Sequence, residues 1–268
     1  MKNKRLVNKL GISYVYGPED WEATLEHINP KVFSCAEIPG EFLDVKNISD
    51  EFKSAGLDII NVKEPLPLPV ARSIYGQDRK IVDKIKKQLG LLLKIISGFP
   101  CSNVSIDFGI DLAVTNQEKK NSLIGFIKEM TPALHKEGIC LCIPSRIPMP
   151  PPATSEDYFT FLKETMYGGI RFSADIYPHE IQKSANLADL LRWYRFDMNI
   201  VRFIYEPEAG NLLVEKIIAN WFEVFEKISY RGPVIFCPKI STSAHFIREC
   251  SRLAELVRTF NSGRATEK

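Results

Sequence analysis

The chain has 268 residues, 45% of them hydrophobic, 10% aromatic and 25% charged, with 35 basic against 33 acidic side chains and a formal charge of +2. That balance supplies no basic face for a phosphate backbone, so nucleic acid is not expected as a partner. After Met1–Arg5 only Leu6 and Val7 are apolar before Asn8, and Leu89–Ile96 is broken by Lys94, so neither a signal peptide nor a membrane span is expected and the location reads as cytoplasmic.

In chain order, short β-branched runs alternate with segments of helical period. The strand candidates are Leu10–Tyr16, Val32–Ile38, Leu57–Val62, Val104–Phe108, Ile139–Ile143, Ile170–Ile176, Ile200–Tyr205 and Val234–Cys237, each a compact run of the buried type. Between them the spacing predicts helices near 19–28, 44–55, 77–98, 118–136, 155–166, 186–194, 211–229 and 243–260. Pro18-Glu19-Asp20 and Ser155-Glu156-Asp157 carry helix-start chemistry, and Gly56, Gly138 and Gly232 stand where a preceding helix would end in a left-handed residue. From residue 10 to residue 234 the period is roughly 32 residues per unit, enough for a strand, a helix and two short loops. Eight such units predict an α/β chain, a single (β/α)8 TIM barrel over residues 1–268. An open doubly wound sheet is the alternative, but the first turn reads Tyr16-Gly17-Pro18-Glu19-Asp20 and no GxGxxG occurs, so no nucleotide cofactor is expected. The six cysteines form no CxxC pair and are expected to be reduced and mostly buried.

In such a barrel the chemistry sits at the C-terminal strand ends. Those positions hold Glu37 after the second strand, Glu64 after the third, Asp107 and Asp111 around the fourth, and Arg146 after the fifth. Asp175 and His179 follow the sixth, Arg202 and Glu206 belong to the seventh, and Lys239 follows the eighth. Any one of these could be an ordinary loop charge; as a set they describe a mouth for a polyhydroxylated or anionic small molecule. The long loop Glu64–Gly76 suits a lid, with Arg72 and Tyr75 as further substrate contacts. Pro148-Met149-Pro150-Pro151-Pro152 reads as a stiff connector or rim. Ser241-Thr242-Ser243 either caps the last helix or helps hold an anion. Trp221, Phe222 and Phe225 read as packing.

Lys9-Leu10-Gly11-Ile12-Ser13 and Asp175-Ile176-Tyr177-Pro178-His179, together with the eight-unit layout, resemble the xylose isomerase-like TIM barrels, which include sugar and sugar-phosphate isomerases and epimerases. The resemblance implies one divalent cation (Mn, Mg, Co or Zn) held by Glu, Asp, His and Glu after strands five to eight, with the two glutamates moving a proton between adjacent carbons. It implies a carbohydrate or its phosphate as the small-molecule partner and leaves a homo-oligomer open. The nucleic-acid-cutting branch, with its His-rich metal centre, is disfavoured because only His179 of four histidines is well placed.

Residue by residue, the four ligand positions read Pro144, Asp175, Arg202 and Cys237. Only Asp175 remains as a metal ligand, unless Glu64, Asp107, Glu206 or Glu208 completes a set from another loop. Arg146, Arg202 and Lys239 put positive charge where a metal usually sits. Two readings follow. The first is an isomerase- or epimerase-like enzyme with Asp175, His179, Glu64 and Asp107 as catalytic residues and Glu37, Arg146, Arg202, Glu206, Lys239, Arg72 and Tyr75 around the substrate. The alternative is a catalytically lapsed barrel that binds a small anion or carbohydrate, or a partner.

Overall fold

A computed structural model describes residues 8–76, 78–109, 117–147, 170–178, 192, 198–207 and 211–262, excluding the side chains of 147 and 211–213. The strands are β1 (Leu10–Ser13), β2 (Cys35–Pro39), β3 (Asp58–Lys63), β4 (Asn103–Ser105), β5 (Cys140–Ile147), β6 (Ile170–Ile176), β7 (Met198–Tyr205) and β8 (Val234–Pro238). They pair in parallel, each with its chain neighbours, and β8 returns to β1, so the eight predicted strands close a barrel.

The described helices are α1 (Glu22–Leu25), α2 (Ile48–Ser54), α3 (Leu68–Arg72), α4 (Arg79–Ile96), α5 (Gln117–Glu137), α6 (Asn211–Lys227) and α7 (Ser243–Asn261). The helices predicted at 155–166 and 186–194, and the proline run 148–152, lie outside the described residues save for residue 192. The helix expected over 19–28 shrinks to one turn because its bonds tighten. Thr24 Oγ1 donates to the Trp21 carbonyl at 2.7 Å, and Ala23, Thr24, His27 and Ile28 all donate to the residue three back. Conversely, the expected loop over Glu64–Gly76 contains α3 and a 3-10 turn at Ser73–Tyr75, since Pro67 and Pro69 sit where a first helical turn needs no N–H.

Period-two alternation sorts each strand into two layers. Ala36, Ile38, Phe172, Ala174, Val201, Phe203, Val234 and Phe236 face the helices and join the large outer core. Trp221, Phe222 and Phe225 pack there, with Phe203 and Phe236 ring centroids 6.2 to 6.4 Å away. Cys35, Cys142, Ile200, Ile204, Ile235 and Cys237 form a smaller cluster inside the barrel. All six cysteines are free and five are buried, with Cys140 half-buried.

Gly56 and Gly138 have φ of 78° and 66°, as the turns into β3 and β5 require. At the turn into β8 the left-handed residue is Ser229 (φ 56°) rather than Gly232, whose missing side chain instead makes room for the Tyr230 ring. β5 runs further than predicted, through Pro144 to Ile147. Its pairing with β4 ends at Cys142, so the missing proline N–H interrupts no ladder on that side. Among the described residues, no helix is long and apolar enough to cross a membrane.

Candidate functional site

Because Glu37, Asn61, Ser105, Ser173, Asp175 and Arg202 all occupy inward positions of their strands, the upper lumen is polar although it is sealed. Glu37 and Arg202 are 0% exposed and Asp175 is 5% exposed. Arg202 reaches across from β7 and donates from Nε to Asp175 Oδ1 at 2.8 Å, from Nη1 to Glu37 Oε2 at 3.2 Å and from Nη2 to Ser173 Oγ at 2.9 Å. Its Nη2 also lies 2.6 Å from Asp175 Oδ1. Glu37 accepts in addition from Ser13 Oγ at 2.8 Å and Asn61 Nδ2 at 2.6 Å, and Asn61 Oδ1 accepts from Ser105 Oγ at 3.1 Å. Cys237 Sγ approaches Glu37 Oε1 at 3.8 Å. Six strands, β1, β2, β3, β6, β7 and β8, thus meet on one guanidinium and two carboxylates. Burial opposes the Arg202 charge, but Asp175 and Glu37 outweigh it and hold the group protonated beyond its ordinary range. Burial lifts Asp175 above the usual carboxylate range against the pull of Arg202 and Lys63.

Above this centre, at the C-terminal end of β3, stands Lys63, 5% exposed. Its Nζ is 3.2 Å from Glu64 Oε1 and 5.8 Å from the centroid of the Tyr16 ring. Burial and Arg202 work against its charge, yet Asp175, Glu37 and Tyr16 together raise its pKa above the ordinary lysine value. Lys63 was absent from the strand-end residues considered in the sequence. The available signal was its spacing, two residues after the inward Asn61. Glu64 is exposed, with φ of 54°, an uncommon conformation for a residue with a side chain. The loop that holds it is seated on Gly40, where a Cβ would lie 2.4 Å from Pro65 Cα and 2.7 Å from the Glu64 carbonyl oxygen.

Around the same mouth, Lys239 Nζ lies 5.9 Å from the Tyr16 ring centroid and 3.5 Å from Glu206 Oε1, and the Arg146 guanidinium lies 4.6 Å over the Tyr177 ring. Glu206 and Lys239 also line a cleft of about 700 Å³ with Thr242, His245 and Arg248. Thr242 is the N-cap of α7 but makes no side-chain cap bond. Arg72, Tyr75 and Asp107 form a separate rim group: Asp107 Oδ1 accepts from Gly109 N at 2.6 Å, and Arg72 Nε lies 2.1 Å from where a Cβ on Gly109 would be. Tyr75 Oη is buried without a hydrogen-bond partner among the described residues. His179, Asp111 and Glu208 lie outside the described residues.

The (β/α)8 barrel with this strand order is shared with solved structures over nearly the whole chain. D-psicose 3-epimerase, solved in the presence of D-fructose, matches at 16% identity over 95% of this chain and 99% of its own, with a TM-score of 0.69. The likeness is one of fold, the closed parallel (β/α)8 barrel. The same fold is shared with 3-keto-D-glucoside 4-epimerase from E. coli (17% identity, 92% and 99% covered, TM-score 0.66) and with a family 2 AP endonuclease from Brucella melitensis (16%, 88% and 96%, 0.63). No family model and no curated protein sequence matches the chain.

A divalent metal of the kind the xylose isomerase-like resemblance implies does not fit the donors of this lumen. Both buried carboxylates are already engaged by Arg202, and the described residues contain no group of three His, Cys, Asp or Glu side chains able to hold an ion.

Proposed function

We propose that the protein is a sugar isomerase- or epimerase-like enzyme that takes a small hydroxy-carbonyl compound at the mouth, with Lys63 as electrophile and Glu64 as base. The observation that supports this is the Lys63–Glu64 pair: a protonated amine on the mouth floor and an exposed carboxylate 3.2 Å away on strained backbone. With the substrate carbonyl oxygen on Lys63 Nζ, Glu64 takes the proton from the neighbouring carbon. The C–H pair becomes the C=C bond of an enediolate whose oxygen charge the ammonium stabilises; Glu64 then returns the proton to the former carbonyl carbon, while Lys63 Nζ gives a proton to that carbon's oxygen and takes the proton of the neighbouring hydroxyl, which becomes the new carbonyl. One carboxylate suffices for aldose–ketose interconversion, while inversion at one carbon needs a donor on the opposite face, a role for which His179 is the sequence candidate. Arg146 over Tyr177 and Lys239 over Tyr16 flank the bound molecule with cationic and aromatic surface, which suits a sugar acid or sugar phosphate. Asp175 acts through Arg202 and not on the substrate.

The test is substrate-dependent deuterium exchange from D2O, followed by NMR over aldoses, ketoses and their acids and phosphates. Glu64→Gln should lower kcat by about 10²- to 10⁴-fold with little change in binding. Lys63→Met should weaken both. Exchange unaltered in Glu64→Gln would refute the assignment. The binding-only reading is favoured by the fully engaged Arg202 centre, and it predicts thermal stabilisation by ligand without exchange of any carbon-bound proton.

A further inference from the structure

We infer that the Arg202 guanidinium is a built-in substitute for a metal ion, and that it keeps divalent cations out of this lumen. The inference stands apart from the proposed activity and holds whether or not turnover is found.

Three observations carry it. The guanidinium lies between carboxylates from two separate strands, with Glu37 Oε2 at 3.2 Å and Asp175 Oδ1 at 2.6 Å. That is the position a bridging cation would take between Glu37 and Asp175, and it is filled by a side chain that does not lose its proton in proteins. Next, the charges already cancel. Glu37 and Asp175 face Arg202 and Lys63, all four buried at 5% exposure or less, so a dication added here would leave two uncompensated positive charges in a sealed space. Finally, the carboxylate oxygens that face the guanidinium are already engaged. Glu37 accepts from Ser13, Asn61 and Arg202, Asp175 Oδ1 accepts from Arg202, and Arg202 Nη2 also donates to Ser173. The other two positions where the resemblance implies ligands are Pro144, which has no side-chain donor, and Cys237, whose buried Sγ lies 3.8 Å from Glu37 Oε1.

Substitution should therefore create a metal site where the wild type has none. In Arg202→His the fixed cation is gone, and an imidazole on β7 joins Glu37 and Asp175 as a third donor around the vacated position. Wild type, Arg202→His and Asp175→Asn are each incubated with excess Mn²⁺ or Co²⁺, desalted, and analysed for retained metal by mass spectrometry, with folding confirmed by circular dichroism. Wild type and Asp175→Asn are expected to retain equal metal, and Arg202→His about one ion per chain more than wild type, with a melting temperature that chelator lowers. If Asp175→Asn does not fold, Glu37→Gln, which keeps an acceptor for Arg202, takes its place. Wild type holding one ion per chain more than the carboxylate variant overturns the inference. A folded Arg202→His with no gain overturns it as well, since the guanidinium would then not be what excludes the metal.

Discussion

Replacing Arg202 by methionine preserves most of the side-chain volume and removes the charge at the middle of the barrel. Glu37 and Asp175, 0% and 5% exposed, are then left facing each other with Lys63 as the remaining buried cation. Taking one partner from a buried ion pair costs about 3–5 kcal/mol, because the charge left behind is neither solvated nor matched. At roughly 2.1 cal/mol/K of unfolding entropy per residue, that loss corresponds to a melting temperature lower by about 5–9 °C. The cost should shrink on acidification, since a carboxylate without its cation can take a proton in place, and each pH unit through which it does so returns up to about 1.4 kcal/mol. The assay is urea unfolding of wild type and Arg202→Met between pH 5 and pH 8, with the triple variant Arg202→Met, Glu37→Gln, Asp175→Asn alongside. The triple variant carries no buried carboxylate at the centre and should regain most of the loss at pH 7. Equal stability of wild type and Arg202→Met at pH 7, or a deficit that does not narrow toward pH 5, would refute this account of the lumen.

Gly40→Ala should destabilise by about 1–3 kcal/mol in urea melts, because its Cβ would meet backbone atoms of Glu64 and Pro65 at 2.4 to 2.8 Å; Gly90→Ala, with nothing within 4 Å in the middle of α4, should instead stabilise by about 0.5–1 kcal/mol. Mass spectrometry after brief iodoacetamide treatment of the native protein should find Cys140 labelled first. That thiol is half-buried and its pKa is lowered by the Cys142 hydrogen bond, whereas burial pushes Cys35 and Cys101 up to about 12. At alkaline pH, Tyr14 and Tyr205 stay protonated in the fold because burial raises both above the ordinary value of 10.0. Their stabilising contribution is complete below about pH 10 and falls as pH rises above it, by up to about 1.4 kcal/mol per unit for each group. The part of the phenolate absorbance that is lost in Tyr14→Phe and in Tyr205→Phe should therefore appear only together with loss of circular dichroism, and its appearance well before unfolding would contradict the burial.

Much of the barrel was legible because a parallel strand buried on both faces leaves an apolar run, and eight such runs at a period near 32 residues have few alternative closures. Strand β5 was cut short at Ile143 because Pro144 reads as a strand breaker; only its neighbours show that β4 has already ended there. The helix at 19–28 was overextended because propensity cannot foresee that the Thr24 hydroxyl takes the Trp21 carbonyl. Gly232 misled for a related reason: a glycine before a strand can serve a left-handed turn or a close approach, and here it gives space to Tyr230.

The candidate site was legible in its residue types and less so in its arrangement. Strand-end position marked Glu37, Asp175 and Arg202, but not that all three point inward and neutralise one another. That depends on register, and a shift of one residue in any strand would turn a side chain to the helix face. The same register explains why Lys63 went unnoticed. A lysine at a strand end usually reaches water, whereas this one stands on the lumen side, two residues beyond Asn61 and over a centre whose carboxylates favour its charge. Arg202 below and Lys63 above it, 0% and 5% exposed, put two positive charges where the resemblance implies one metal ion. Arg202 balances the charge of Glu37 and Asp175, and under the proposed function Lys63 is the charge that meets the substrate oxygen.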